Sequence, residues 1–287
     1  MNWLSLLIPW RPSPTIVAIT IATAWLFIRG CRRQPVSVAR QLGFWAGLAV
    51  LYAALHTWLD YYSEREFFIG RVQQLALHDF GPFLLALAAP GAVLWAGVPE
   101  RWRVRWLEPI RQARLTGKLG RVMTHPAAVG IIYVGLGWFW LLPYVHFYAM
   151  LDVFLYRLMN WSMVCAGLLF WSLVLDLRKS PPARLSAGVR LALIAAIMPL
   201  QMAPGILLTF STTNFYPLYD LCGRAFSGIN FHEDQTIGGL IIWIPGSMMN
   251  LVGALTALYL GFFRETDGEA NAPRRAAGSG LAARPGP

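Results

Sequence analysis

Charge is the scarcest commodity in this sequence. Asp, Glu, Lys and Arg make up 13% of the 287 residues, about half of the ~25% found in an ordinary soluble domain. Lysine is nearly missing: Lys118 and Lys179 are the only two, and both fall between apolar stretches, which excludes a retinal Schiff base inside a helix. Cysteine is sparse as well. Cys31, Cys165 and Cys222 show no C-x-x-C spacing, so neither a disulfide framework nor a cysteine zinc site is expected, and no role for Cys222 follows. There is no G-x-x-x-x-G-K-[ST] loop, no H-E-x-x-H pair and no G-x-S-x-G elbow, which removes nucleotide, zinc-peptidase and serine-hydrolase chemistry by those routes.

What is present in excess is apolar residue: 56% of the chain, gathered in long blocks. A helix crossing a bilayer needs roughly 20 largely apolar residues at about 1.5 Å each. The blocks that meet this are Thr15–Ile28, Leu42–Tyr61, Val72–Val98, Pro126–Leu142, Leu158–Leu175, Val189–Thr209 and Gly238–Phe263. Only closed helices or barrels satisfy the backbone in lipid, and unbroken runs of this length predict helices. The expected fold is therefore all-α, a polytopic membrane protein of about seven transmembrane helices. Arg29, Arg32 and Arg33 follow the first block instead of preceding it, so that block is expected to stay as a helix and not to act as a cleaved signal.

The net charge of +10 would suggest nucleic acid in a soluble chain; here the loops account for it, and no nucleic acid is expected. The loops after spans one, three and five and the C-terminal tail, counted with Arg190 at the very start of span six, hold 19 of the 24 basic residues. By the positive-inside rule those segments are cytoplasmic, with the N-terminus outside and the C-terminus inside. Residues 1–263 then form one seven-helix domain, and residues 264–287, rich in Ala, Gly, Pro and Arg, a disordered cytoplasmic tail. Between Pro99 and Thr124, seven basic residues beside Trp102 and Trp106 predict a segment lying on anionic headgroups; docking of a partner is the alternative. Pro199 and Pro204 should kink span six.

The remaining polar groups are unevenly placed. His56, His78, His146 and His232 fall in the outer half or outer loops, together with eight of the fourteen acids, Asp79 and Asp234 among them. Imidazoles and carboxylates converging on one side suit a metal ion. Asp79, about two turns along span three, must be paired, protonated or in a wet cavity. Gly70, Gln74 and His78 recur every four residues and share a face, and His56 and Asp60 show the same spacing in span two. A site between spans two and three is one reading and a buried polar network tying them together is the other. Met159/Met163 and Met198/Met202 each put two thioethers on one helical face, which suits cuprous copper but equally suits packing.

The stretch from Phe67 to Leu85, FFIGRVQQLALHDFGPFLL, resembles the third-helix signature of the CtaG family of cytochrome c oxidase assembly factors, the seven-helix family associated with caa-type oxidases. Three later stretches look like the same family: Trp140 to His146, Met159 to Met163 with Leu168 to Trp171, and Asp234 to Pro245. The resemblance implies a multi-pass protein of the bacterial inner membrane, not an enzyme, that helps build a haem-copper oxidase, with oxidase subunits as partners and either copper handled or the nascent oxidase subunit presented at the periplasmic face. Where the family commonly has an H-x-x-x-H pair at the start of the third helix, this chain has Gly70 and Gln74, and a fifth-helix histidine is replaced by Asn160. The expected metal set is His56, His78 and Asp79 at the core, His146 and His232 reaching in from loops, and Met163 or Met202 as soft ligands for Cu+. A copper transport or resistance protein and a haem-binding membrane cytochrome are the alternatives.

Overall fold

The computed structural model describes the backbone of residues 11–112, 120, 123, 125–176, 185–221, 223–226 and 228–279, without the side chains of 111, 112 and 261–279. Among these residues there is no strand. Seven principal helices follow one another: α1 Pro14–Cys31, α2 Val38–His56, α3 Phe67–Ala88, α4 Pro126–Leu141, α5 Val153–Val174, α6 Ala187–Phe210 and α7 Phe231–Ser279. Five of them are long and apolar enough to cross a membrane alone. The count rises to seven when α3 is joined to the helix Gly91–Gly97, bent from it by 69°, and α4 to Pro143–Leu151, bent by 75°. Every apolar block read from sequence thus falls on helix, though Leu42–Tyr61 and Val72–Val98 each run across a break, at Thr57 and at Ala89–Pro90. The stretch from residue 264, expected as a tail, has its side chains outside the described residues, and so does Cys222.

The breaks have local causes. Span two was expected to reach Tyr61, but α2 stops at His56 because Thr57 is extended, and its hydroxyl caps the short helix Trp58–Ser63 by accepting from the Leu59 amide. At the first bend Ala89 turns left-handed with φ 43°. The carbonyls of Ala88 and Ala89 are taken by the Arg40 guanidinium of α2, each at 2.8 Å. The second bend falls at Pro143, which has no amide hydrogen to continue the ladder. The freed carbonyls there are filled by Tyr216, whose hydroxyl donates to Leu141 at 2.7 Å, and by His146 beside the Trp140 carbonyl at 3.1 Å. Beyond the bend, Tyr144 and Tyr148 stand exposed on one face of Pro143–Leu151. α6 carries Pro199 and Pro204 within one continuous helix. The Leu200 carbonyl that Pro204 leaves without a donor accepts from the Trp138 indole of α4 at 2.8 Å.

α5 is the best-buried helix, and Phe170 and Trp171 pack with Tyr133 of α4 and Phe83 of α3 in the largest apolar core. α6 and α7 cross in close contact where Gly205 meets Gly239: a Cβ at Gly205 would lie 2.9 Å from the Gly239 carbonyl oxygen. Outward-facing Ile21, Ile131, Leu207 and Leu251 are exposed on four different helices, an apolar belt that belongs in lipid. Trp102 and Trp106 are exposed beside Arg101 and Arg105 in the stretch after Gly97. Two ends can be distinguished: a basic end with Arg33, Arg40 and Arg101, and a polar end with Glu66, His146 and Asp234.

Candidate functional site

Helix α3 is not uniform. Residues Ala76–Phe80 form a π turn between two α-helical parts, a device that often marks functional positions. Pro82, four residues after His78, cannot donate to the His78 carbonyl, and the ladder opens there. α5 presses on this turn through Gly167, where a Cβ would lie 2.1 Å from the His78 carbonyl oxygen. No side chain fits at that crossing, so the glycine sets how closely α5 approaches the site.

The opposite side of α3 faces a cavity of about 60 Å³ walled by α3, α4, α5, α6 and α7, room for several waters at ~10–15 Å³ each. Its polar lining comes from Arg71, Gln74, His78, Asp79, Tyr133 and Gln201, and Met163 adds a thioether. His78 stacks on Tyr133 with ring centroids 4.0 Å apart. The Tyr133 hydroxyl donates to the Asp79 carboxylate, and Gln201 approaches the same group. His78 Nδ1 stands 3.8 Å from Asp79 Oδ2, too far for a hydrogen bond, and His78 Nε2 is buried with no partner. At the other end of the cavity Arg71 donates to Gln74 Oε1 at 2.6 Å and lies over the Phe67 ring. Arg71 Nε and Gln74 Nε2 are buried without partners too.

His78, Asp79 and Met163 are therefore brought together. The other expected site residues are placed elsewhere. His56 Nε2 accepts from the Ser13 amide at 2.9 Å and Nδ1 lies 3.0 Å from the Tyr52 hydroxyl. His146 Nε2 lies 2.9 Å from the Tyr219 hydroxyl. His232 is exposed at the start of α7, and Met202 is half-buried on α6 outside the cavity lining. Among the described residues no three of His, Cys, Asp and Glu stand close enough to hold a metal ion. The face of α3 that meets the cavity is Arg71, Gln74 and His78 rather than Gly70, whose nearest neighbours are Ser63 and Tyr219.

Two polar clusters frame the cavity toward the polar end. Asp60 accepts from Gln73 and from Tyr156, both at 2.8 Å, and Tyr156 also meets Ser63. Arg224 binds Glu66 at 3.1 Å, Asp234 at 2.6 Å and Asp220 at 2.8 Å. Asp234 also accepts from the amides of Phe67 and Phe68, capping α3, and Glu66 accepts from the Phe226 amide. Burial pushes the Glu66 carboxyl above the ordinary glutamate range; Asp234 adds to this, while the Phe226 amide and Arg224 oppose it. Arg224, Tyr133, Tyr156 and Gln201 carry these arrangements, and nothing in their sequence neighbourhoods marks them. Only Gln74 and His78, four apart, left a readable spacing.

A family model described as cytochrome c oxidase caa3 assembly factor matches residues 22–264. Searches of curated proteins and of solved structures found no significant match.

Proposed function

The chain belongs to the cytochrome c oxidase caa3 assembly factor family, and from that premise we propose that the cavity beside His78 is where this assembly factor holds its cargo, a cuprous ion on its way to an oxidase subunit. The observation that carries the reading is that a buried imidazole nitrogen with no hydrogen-bond partner, His78 Nε2, and a thioether, Met163, line the same cavity. Imidazole and thioether are donors a cuprous ion accepts. The donor set does not extend further, since His56 and His146 spend their nitrogens on structural contacts. Two donors suit a soft ion held briefly and passed on, and fit poorly with a resident divalent ion that wants four. Asp79, held by Tyr133, positions the ring against which His78 stacks.

The proposed setting is the bacterial inner membrane, with the basic end cytoplasmic, the polar end periplasmic and oxidase subunits as the partners. Basic residues concentrated in the loops after the odd-numbered spans support that orientation. Reporter fusions after Gly97 and after Phe263 should both read as cytoplasmic; a periplasmic signal at either place overturns it.

The cargo reading is tested by complementing a deletion strain at limiting copper with His78→Gln. Oxidase activity should stay at the deletion level while the variant reaches normal abundance in the membrane. Glutamine can keep a hydrogen bond, worth only about 0.6–2 kcal/mol in a membrane, but it is no ligand for a soft ion. Full oxidase activity at normal abundance would remove His78 from the mechanism.

A further inference from the structure

Arg71 carries a charge that no described residue neutralises. It forms none of the ion pairs present among those residues. Its contacts are neutral: the Gln74 amide oxygen, the Phe67 ring and the nearby Tyr219 hydroxyl. The chain had acids to offer, because Asp234 caps α3 four residues earlier and Glu66 precedes it, but both close on Arg224. A buried cation without a counter-ion is among the costliest arrangements a protein can hold. Water in the cavity could satisfy its N–H groups and would leave the charge. Beside the guanidinium, Arg71 Nε and Gln74 Nε2 are two buried donors with nothing to donate to, and both residues line the cavity.

We infer that the Arg71 end of the cavity is a binding site for a small oxyanion, a carboxylate or phosphate group received by the Arg71 guanidinium and the Gln74 amide. The planar fork of arginine matches two oxygens of such a group. The volume of about 60 Å³ admits a head of a few atoms and excludes a folded peptide. The group can arrive as a free anion or as the head of an acidic phospholipid. The inference stands apart from the cuprous reading, since it concerns the opposite end of the cavity and needs no metal.

The test uses the full-length protein in nanodiscs of phosphatidylcholine, stripped of metal by a chelator that is then removed, with chloride as the only free anion. Acetate or inorganic phosphate, added at constant ionic strength, should raise the unfolding midpoint saturably, by about 3 °C or more. If phosphatidylglycerol in the nanodisc raises it and neither free anion does, the source is the lipid head. Gln74→Glu places a carboxylate beside Arg71; this variant should start with a higher midpoint than the wild type and respond to none of these anions. Arg71→Gln should lose the response, and if it fails to insert, the Gln74→Glu comparison decides. His78→Ala should keep the anion response while losing cuprous retention, which separates this site from the cargo site. Equal responses in wild type and Gln74→Glu, or no response to any of the three anions, would overturn the inference.

Discussion

Two polar regions lie side by side on α3, and they are built on opposite terms. Around Asp60 and Arg224 the buried polar groups meet one another: carboxylate with guanidinium, hydroxyl with carboxylate, backbone amide with side-chain oxygen. One turn deeper, around Arg71, Gln74 and His78, three buried nitrogens have no partner. Low dielectric strengthens a completed network and penalises an incomplete one. The first region is what a fold uses to hold itself together. The second is what it keeps open for something else, at a cost in stability met by the neighbouring network.

That contrast can be broken most severely at Arg224. Arg224→Met should strand Glu66 and Asp234, both fully buried, and cost about 3 kcal/mol, read as loss of membrane abundance and a lower unfolding midpoint. If abundance holds, the cluster is not structural. Next comes the crossing that separates core from cavity: Gly167→Ala should force α5 away from the π turn at a cost of about 1–3 kcal/mol, with oxidase maturation falling alongside abundance. Unchanged abundance would mean that α5 does not rest on the His78 carbonyl. A smaller loss, about 1 kcal/mol, is expected for Tyr156→Phe, which takes one of two donors from Asp60; maturation per molecule should stay normal. His78→Gln sits at the end of this series, with almost no effect on abundance and the largest effect on maturation. If Tyr156→Phe and His78→Gln behaved alike, the distinction between the two regions would fail.

Much of the architecture was legible because lipid imposes a simple code. Long apolar runs marked all seven helices. The prolines expected to kink a span, Pro199 and Pro204, lie within one continuous helix, and the bend that ends α4 falls instead at Pro143, where none was expected. The bend after Ala88 was not readable, since it depends on a left-handed alanine and on Arg40 reaching over from α2. The candidate site was half legible. His78 and Asp79 stand out because polar groups in an apolar helix need a reason, and Met163 was one member of a recognisable pair. The assumed regular spacing failed at the π turn, so Gly70 was placed on the working face and Arg71 was not. His56, His146, Arg224 and Tyr133 take these partners from residues 43 to more than 150 positions away, a kind of information that no local pattern contains.

The bent segment Pro143–Leu151 has one further consequence. It leaves the axis of α4 by 75° and turns two tyrosines, Tyr144 and Tyr148, outward at the polar end. Tyrosine settles at the boundary between hydrocarbon and headgroups, so this short helix acts as a waterline. Because Pro143 and the contacts of Tyr216 and His146 with Leu141 and Trp140 fix it to α4, the waterline is rigidly coupled to the cavity wall. The immersion depth of His78 and Arg71 is thereby set by the protein itself, and a bilayer of different thickness has to deform around the molecule before it can move them.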